Sequence, residues 1–281
     1  MSRSRIFLLT VLAMIAFAGN SLLCRAALKH TAIDPVSFTT VRMLSGAIAL
    51  WLLVRMRAGT RAHRGNWISA FALFAYAAAF SWAYVNLSAA TGALLLFGAV
   101  QATMIVSGLR RGERLNGWQF VGLASALGGV VALLLPGLSA PPLNNAVLMV
   151  VAGVAWGVYS LRGRGGGDAL AATAGNFLLA VPFALVLSIA LLDGARLDAH
   201  GVAYAAASGA LTSGVGYAIW YAALRGLTAT GAATVQLSVP LIAAAGGVLL
   251  LAEPVTLRVI GASAAILGGI ALVTAAPIRA G

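Results

Sequence analysis

Arg42 is the cation of this 281-residue sequence that lies inside a long apolar stretch. It follows Pro35 by seven residues, and a helix of that length advances the chain by about 10 Å. A cation in an apolar environment costs free energy, so its position calls for an explanation. Arg42 could face a cavity and hold the carboxylate of a ligand, or it could be a structural arginine that extends toward the polar end of its helix. Both interpretations stay open, because the depth is intermediate.

Aromatic and polar residues recur together on one helical face in two places. Phe17 and Asn20 lie about one helical turn apart in one apolar stretch, and Trp156 and Tyr159 repeat that spacing in another. Aromatic rings offer broad apolar contact, and the polar groups add hydrogen bonds. We therefore predict that these faces line a cavity. The alternative is packing of helix against helix through hydrogen bonds.

Further aromatic and amide side chains lie inside apolar stretches. Trp82 and Tyr217 are interpreted either as cavity residues or as members of the aromatic belts found at membrane surfaces. Amides within helices could orient a zwitterion or pair with a neighbouring helix. The additional candidates for the cavity lining are Tyr76, Trp82, Gln101, Tyr217, Tyr221 and Gln236.

Two prolines and a glycine pair indicate local backbone roles. Pro182 and Pro240 lie inside apolar stretches, where a missing N–H frees carbonyl groups and permits bending. Gly153 and Gly157 form a Gly-x-x-x-Gly pattern, which predicts close packing of one helix on another.

The composition identifies the environment in which these residues act. Apolar residues make up 61% of the chain and charged residues 9%, whereas a soluble domain has about 25% charged residues. A net charge of +12 would suggest nucleic acid as the partner of a soluble protein, but a soluble protein cannot be this apolar. We therefore predict a polytopic membrane protein whose partners are the lipid bilayer and a small molecule, with no nucleic acid.

Ten apolar windows have the length of a membrane-crossing helix, which needs about 20 mostly apolar residues. The apolar segments do not alternate with polar residues as the strands of a membrane barrel do. The predicted fold class is an all-α protein with ten transmembrane helices. The windows are Ile6–Leu23, Val36–Val54, Trp67–Asn86, Ala90–Leu109, Trp118–Leu135, Ala146–Leu161, Leu170–Leu192, Gly201–Leu224, Gly231–Leu251 and Thr256–Thr274.

The cations are distributed unequally between the two sides. Ten crossings put both termini on one side, and 13 of the 18 Lys and Arg residues fall there. The positive-inside rule therefore predicts that both termini are cytoplasmic. The start of the chain also imitates a signal peptide, but the repeat described next needs the first helix. The cations of the opposite loops are Arg25, Lys29, Arg196 and Arg258.

An internal repeat appears when the sequence is shifted by 139 residues. Phe17 then falls on Trp156, aromatic on aromatic, and the Ala-Thr-Gly-Ala of residues 90–93 falls on the same four letters at 229–232. Single matches are common in a chain rich in Ala, Gly and Leu, but an offset that holds from the first window to the last is not.

The repeat unit contains an odd number of windows, five. The second unit must therefore enter the membrane from the opposite side, and with one residue inserted Glu113 falls on Glu253. We predict an N-terminal five-helix domain at residues 1–140 and an inverted C-terminal domain at 141–281. Inverted repeats are an architecture of secondary transporters, with the substrate site between the halves.

Paired motifs end the two repeats. They are Gly112–Leu115 and Ala252–Thr256, each with its glutamate, then Leu127–Gly129 and Leu267–Gly269, and in addition Pro35 before the helix of Arg42. With the five-plus-five arrangement, these motifs resemble the drug/metabolite transporter superfamily and, within it, the EamA-type exporters. The resemblance covers essentially the whole chain. It implies a multi-pass carrier of the bacterial-type inner membrane that exports amino acids and other small metabolites. Likeness to the YddG-like branch implies aromatic and other amino acids.

The sequence therefore predicts a secondary transporter that exports amino acids, with aromatic or apolar ones favoured, by alternating access around a central cavity. Other metabolites, such as nucleosides, sugar phosphates or drugs, are alternative substrates. An integral-membrane enzyme and a channel are alternative classes. Whether the protein is a monomer or a homodimer stays undetermined.

The residue types that are missing limit the energetics. The sequence has no Gly-rich phosphate loop, so ATP-driven transport by this chain is excluded, and we expect no cofactor, no metal and no catalytic residue. Proton relays usually use carboxylates within the membrane. All six acidic residues lie at window ends or in loops, which favours downhill facilitated efflux. They are Asp34, Glu113, Asp168, Asp193, Asp198 and Glu253.

Overall fold

Apolar helices dominate the part of the chain that the structure, a computed structural model, describes. The described residues are 2–57, 65–110, 112, 116–135, 137, 140–163, 168–227, 232 and 235–275, and none of them lies in a strand. The predicted all-α class is therefore confirmed. Among the residues used above, Glu113 and several of the counted cations lie outside the described residues.

Helices α1 to α7 are each long and apolar enough to cross a membrane. The predicted eighth helix is one rod made of α8, a π-helical stretch and α9, and α10 is a shorter apolar helix. A count of ten crossings stays a prediction. The bounds are α1 Arg3–His30, α2 Pro35–Arg55, α3 Trp67–Tyr84, α4 Ala89–Arg110, α5 Gly117–Leu134, α6 Leu143–Arg162, α7 Ala169–Ala190, α8 Ala199–Ala207, π Ser208–Val215, α9 Gly216–Leu224, α10 Ser238–Leu251 and α11 Leu257–Ala275.

Short polar side chains start several of these helices. Asp34 accepts hydrogen bonds from the first-turn N–H groups of α2, whose first residue is Pro35. Asn66 caps α3 and Asp168 caps α7 in the same way. First-turn N–H groups have no partner within the helix, so each cap satisfies donors that would otherwise need water.

Two helix ends differ from the predicted windows. Helix α1 continues to His30, so Arg25 and Lys29 lie within the helix and not in a loop as predicted. Cations are favourable near a helix C-terminus, which explains the extension. Pro240, predicted inside a span, lies in the first turn of α10, where a missing N–H removes no helical hydrogen bond. Pro182 lies within α7.

The outer surface of the helices is apolar, as a lipid-facing surface must be. Leu249 and Leu257, at the facing ends of the last two helices, are 81% and 87% exposed. Trp67 and Trp118, near helix starts, are also exposed. Exposed tryptophans at helix ends are typical of the membrane interface.

The contacts between helices recur when each helix is replaced by its equivalent in the other half of the sequence. Helix α3 packs on α6, and correspondingly the rod of α8 and α9 packs on α1. Helix α4 also packs on α6, and correspondingly α10 packs on α1. Helices α2 and α7 pack on each other, as do α5 and α11. Each of these pairs maps onto another pair, or onto itself, under the offset of the sequence repeat.

Gly129 and Gly269 lie at a close contact between α5 and α11. A Cβ at Gly129 would lie 2.8 Å from Cγ1 of Ile266, and one at Gly269 would lie 2.8 Å from the backbone nitrogen of Ala126. Ala126 and Ile266 are themselves equivalent in the repeat, so the contact is reciprocal. Small residues permit this approach, and close packing stabilises helix pairs where lipid surrounds them.

We expect Gly129→Ala and Gly269→Ala each to destabilise the protein by about 1–3 kcal/mol, because the added methyl overlaps the facing helix. The adjacent Gly128 and Gly268 meet nothing within 4 Å and are the matched controls. Their alanine variants should be neutral or more stable by about 0.5–1 kcal/mol, since alanine favours a helix. Thermal unfolding in detergent measures both pairs. If Gly129→Ala destabilised the protein no more than Gly128→Ala, and Gly269→Ala no more than Gly268→Ala, the close contact would be contradicted.

Candidate functional site

Side chains from both halves of the sequence line one narrow cavity. The cavity volume is about 30 Å³, enough for roughly two water molecules. The lining is Phe17, Asn20 and Ser21 of α1, Tyr76 of α3, Leu96 and Phe97 of α4, Trp156 of α6, Thr212 and Ser213 of the π stretch, Tyr217 of α9, and Gln236.

Trp156 is the centre of a chain of aromatic rings that crosses this cavity. Its ring centroid lies 5.0 Å from that of Tyr76 and 5.5 Å from that of Tyr217. Phe17 in turn lies 5.9 Å from Tyr217. These spacings are typical of favourable aromatic pairs. Flat apolar surfaces contributed by both halves therefore enclose the cavity.

Asn20 is the hydrogen-bonding centre of the cavity wall. Its Nδ2 donates to the hydroxyl of Tyr76 at 3.0 Å. Its Oδ1 accepts from the hydroxyl of Ser208 at 2.7 Å and from that of Thr212 at 3.4 Å. One amide therefore joins α1 to α3 and to the π-helical stretch.

The π-helical stretch brings its backbone directly against α2. A Cβ at Gly209 would overlap the hydroxyl of Ser45 and the carbonyl oxygen of Arg42, so only glycine permits this approach. π-helical turns are rare and are frequently found at functional sites. Here the stretch supplies Thr212 and Ser213 to the cavity.

Arg42 is buried beside the cavity and is only 1% exposed. Its Nη2 donates to the Tyr76 hydroxyl at 3.0 Å, and its guanidinium carbon lies 5.1 Å from the ring centroids of both Tyr76 and Phe80. Its Nε and Nη1 are buried without a hydrogen-bond partner in the described part of the chain. The guanidinium is therefore held by aromatic faces and one hydroxyl.

The structure places six of the eleven predicted cavity residues in the lining. Three others, Arg42, Tyr159 and Tyr221, lie behind the lining, and the remaining two lie elsewhere. Arg42 contacts the cavity through Tyr76. Tyr159 stacks on Trp156, and Tyr159 and Tyr221 both contact the hydroxyl of Thr173. The six in the lining are Phe17, Asn20, Tyr76, Trp156, Tyr217 and Gln236.

Trp82 and Gln101 are not part of this lining. The carbonyl of Trp82 accepts a hydrogen bond from Asn145 near the end of α3. Gln101 lies one turn beyond Phe97, where α4 also meets α5 and α11, and it lines a second, almost wholly apolar cavity of about 140 Å³. Gly153 and Gly157 pack against α4, at Leu96 and Thr103.

Sequence reasoning missed the polar residues of the π stretch and the partner of Arg25. Ser208 and Thr212 lie one turn apart in an apolar window, and that spacing was the available signal. The pairing of Arg25 with Glu253 had no local signal, because 228 residues separate them.

Arg25 and Glu253 form a buried ion pair between the halves. Nε of Arg25 lies 2.8 Å from Oε1 of Glu253, and the side chains are 12% and 5% exposed. Arg25 also donates to the carbonyls of Tyr84 and Val85 at the end of α3. Glu253 accepts from the N–H of Ala89 at the start of α4. Each charge thus lies at the helix end whose dipole it complements.

Ala252 directs Glu253 into this position. It has a φ of 49°, the left-handed conformation that ends α10 and that glycine usually adopts. The N–H of Glu253 then donates back to the carbonyl of Gly247 at 3.0 Å. A non-glycine residue in this conformation costs about 1–2 kcal/mol.

Two aspartates join loops of the two halves at the same end. Asp34 accepts from the N–H of Arg196 at 2.8 Å, and its own N–H donates to the Arg196 carbonyl at 3.2 Å. Asp198 accepts from the N–H of Ala32 at 3.0 Å. Partial burial raises the pKa of Asp34, but hydrogen bonds from Arg196 and Ser37 outweigh this and leave it below its ordinary value. The N–H of Gly201 likewise lowers the pKa of Asp198.

These features define the class: a multi-pass helical membrane protein with a polar and aromatic cavity between two related halves. The EamA-like transporter family matches the chain twice, at residues 4–135 and 144–275. The chain therefore belongs to the EamA-like transporter family, and it is a membrane transporter with a small-molecule substrate.

Two other proteins are similar to this chain over most of its length. Protein PA1977 of Pseudomonas aeruginosa, which is described as uncharacterized, is 62% identical over 273 residues, covering 96% of this chain and 95% of its own. A solved crystal structure has a TM-score of 0.68 with 19% identity over 98% of both chains, a likeness of fold alone. The likeness to the YddG-like branch stays a prediction.

We expect Arg25→Gln or Glu253→Gln alone to destabilise the protein by about 3–5 kcal/mol, because each leaves a buried charge without its partner. The double variant should recover part of this loss, and a thermal-unfolding cycle gives the coupling energy. Asp168→Asn is the control: it weakens an exposed pair, 3.8 Å from Arg57, and should cost less than about 1 kcal/mol. Additive effects of the two single variants would contradict a buried pair.

The lowered pKa of Asp34 makes the contact with Arg196 sensitive to acid. A carboxylate whose pKa falls on folding stabilises the protein above its unfolded pKa of about 3.9, and this contribution is lost as the pH falls through the lower folded value. We expect wild type to exceed Asp34→Asn in unfolding temperature at pH 6, with the difference shrinking below about pH 4. A difference that does not change with pH would show that the charge of Asp34 does not contribute.

Proposed function

We propose that the protein exports amino acids, with aromatic and apolar ones favoured, across the inner membrane. The observation that carries this proposal is the cavity wall, in which the rings of Tyr76, Trp156 and Tyr217 lie beside the amides of Asn20 and Gln236. Aromatic faces suit an apolar side chain, and amides suit the polar ends of an amino acid. Membership of a transporter family supports transport as the use of this cavity.

The topology belongs to the same proposal. We propose ten membrane crossings, in two inverted five-helix units at residues 1–140 and 141–281, with both termini cytoplasmic. The exchange of helix neighbours between the halves supports the repeat. Arg25 pairs with Glu253, so the cations without an acidic partner on the proposed outer side are Lys29, Arg196 and Arg258, and the asymmetry of charge increases.

Alternating access is supported by the size of the cavity. Pockets that hold small ligands are typically about 300–1,000 Å³, so an amino acid enters only after the lining has moved. The ion pair of Arg25 with Glu253 and the loop contact of Asp34 with Arg196 join the halves at one end of the molecule. Both contacts would have to separate for that end to open.

The mechanism that we propose is facilitated efflux without proton coupling. Among the described residues, no acidic residue lines the cavity. Glu253 is buried, but its two oxygens are occupied by Arg25 and by the N–H of Ala89. A carboxylate held in this way supports a structural role more than a proton relay.

Other substrates and classes give different outcomes in one assay. Liposomes that contain the purified protein are loaded with an unlabelled amino acid. The same amino acid, carrying a radioactive label, is then added outside. A carrier gives saturable accumulation by counterflow, whereas a channel gives none and an enzyme would release a new product. Competition by the twenty amino acids then ranks the substrates. Exchange of only nucleosides, sugar phosphates or drugs would contradict amino acid export and keep the transport class.

We expect Arg42→Ala and Trp156→Ala to reduce this counterflow by about tenfold or more, because each removes a group at the predicted site. Trp156→Phe retains a ring and should keep most of the activity. Trp118→Ala is the matched control, since Trp118 is 69% exposed on the outer surface. Amounts of folded protein are compared by size-exclusion chromatography. Unchanged exchange in both site variants would overturn the site and leave the fold untouched.

A further inference from the structure

The geometry points to an anion site built from Arg42 and Asn20, which the hydroxyl of Tyr76 occupies in this structure and which a substrate carboxylate takes over. This inference rests on the proposed transport function and names the chemical group that the substrate must carry. It also gives Tyr76 a specific role, that of an internal occupant that leaves when substrate binds.

Two donors converge on the oxygen of Tyr76. Nη2 of Arg42 lies 3.0 Å from it, and Nδ2 of Asn20 lies 3.0 Å from it on another helix. A cation and an amide aimed at one oxygen form a pattern that suits a carboxylate better than a phenol. A carboxylate oxygen bears charge, and hydrogen bonds to it from a guanidinium are stronger than those to a neutral hydroxyl.

The remaining donors of Arg42 show that the site is incomplete. Nε and Nη1 are buried without a hydrogen-bond partner in the described part of the chain, and the whole residue is 1% exposed. No described carboxylate lies within ion-pair distance of Arg42. A buried cation with free donors and no counter-charge is costly, and an anionic ligand would satisfy both the donors and the charge. Two carboxylate oxygens match two nitrogens of the guanidinium fork.

The route from the cavity to Arg42 runs through Tyr76. Tyr76 and Asn20 line the cavity, whereas Arg42 does not. The ring of Tyr76 also packs on Trp156 with 5.0 Å between centroids. Movement of Tyr76 would therefore expose the guanidinium and rearrange the aromatic wall that contacts the substrate side chain. Recognition of the carboxylate and enlargement of the cavity would be one event.

Matched probes test this directly with purified full-length protein in detergent. L-Phenylalanine and 3-phenylpropanoate carry a carboxylate, whereas L-phenylalaninamide has the same ring with a neutral amide in its place. Isothermal titration calorimetry should show the two carboxylates binding about tenfold or more tighter than the amide, as expected for loss of a charged hydrogen bond. Equal binding of all three, or no binding of either carboxylate, would overturn the anion site.

Variants separate the anion site from a structural role. Arg42→Gln should remove the preference for carboxylates and leave the amide unchanged. Tyr76→Phe removes the competing oxygen and should bind carboxylates about threefold to tenfold tighter, the reverse of what loss of a structural hydrogen bond would give. Arg55→Gln is the matched control, because Arg55 also lies on α2 and contacts an aromatic ring, Trp51, away from the cavity. Weaker carboxylate binding by Tyr76→Phe would contradict the proposed displacement.

Liposome exchange of the same three compounds distinguishes this inference from the proposed function. Exchange of all three without preference for the carboxylates would keep transport and overturn the anion site. Carboxylate-selective binding in detergent without exchange of any compound would support the site and contradict transport of amino acids.

Discussion

Every polar group inside this bundle has to find its partner within the protein, because lipid surrounds the helices and offers none. The buried amide of Asn20 meets this constraint by joining three helical segments. Arg25 and Glu253 meet it by pairing with each other and with exposed ends of α3 and α4. Arg42 meets it only in part. A few polar contacts therefore join specific helices inside an apolar interior, and the incomplete one lies beside the cavity.

The helical scaffold keeps the symmetry of the repeat, whereas the lining of the cavity does not. Helices α5 and α11 meet through equivalent glycines, and the remaining helices exchange neighbours between the halves. At the cavity the copies have diverged, since Phe17 corresponds to Trp156 and Phe97 to Gln236. A symmetric scaffold permits two related arrangements of the halves, whereas an asymmetric lining gives the ligand distinct apolar and polar surroundings.

Residues of the candidate site can be predicted from the sequence where a local pattern of residue types marks them. Phe17, Asn20 and Trp156 were found because aromatic and polar residues at helical spacing stand out in an apolar window. Trp82 and Gln101 are predicted only from being an aromatic ring and an amide inside apolar stretches, and they lie elsewhere, because the direction a side chain faces depends on how its helix crosses its neighbours. Ser208 and Thr212 have the spacing of one helical turn, but the π-helical stretch that brings them to the cavity wall is visible only in the structure.

The sequence by itself determined the environment, the all-helical class and the membership of a transporter family, because apolar content and repeated motifs are properties of the chain read in order. Only the tertiary structure decided which distant residues meet. Arg25 was counted as a loop cation and is buried against Glu253, which is 228 residues away. Arg42 had two open interpretations, and its unpaired nitrogens beside Tyr76 became visible only in three dimensions. Pairing and burial of charges depend on packing between helices, and that information does not reside in any single segment.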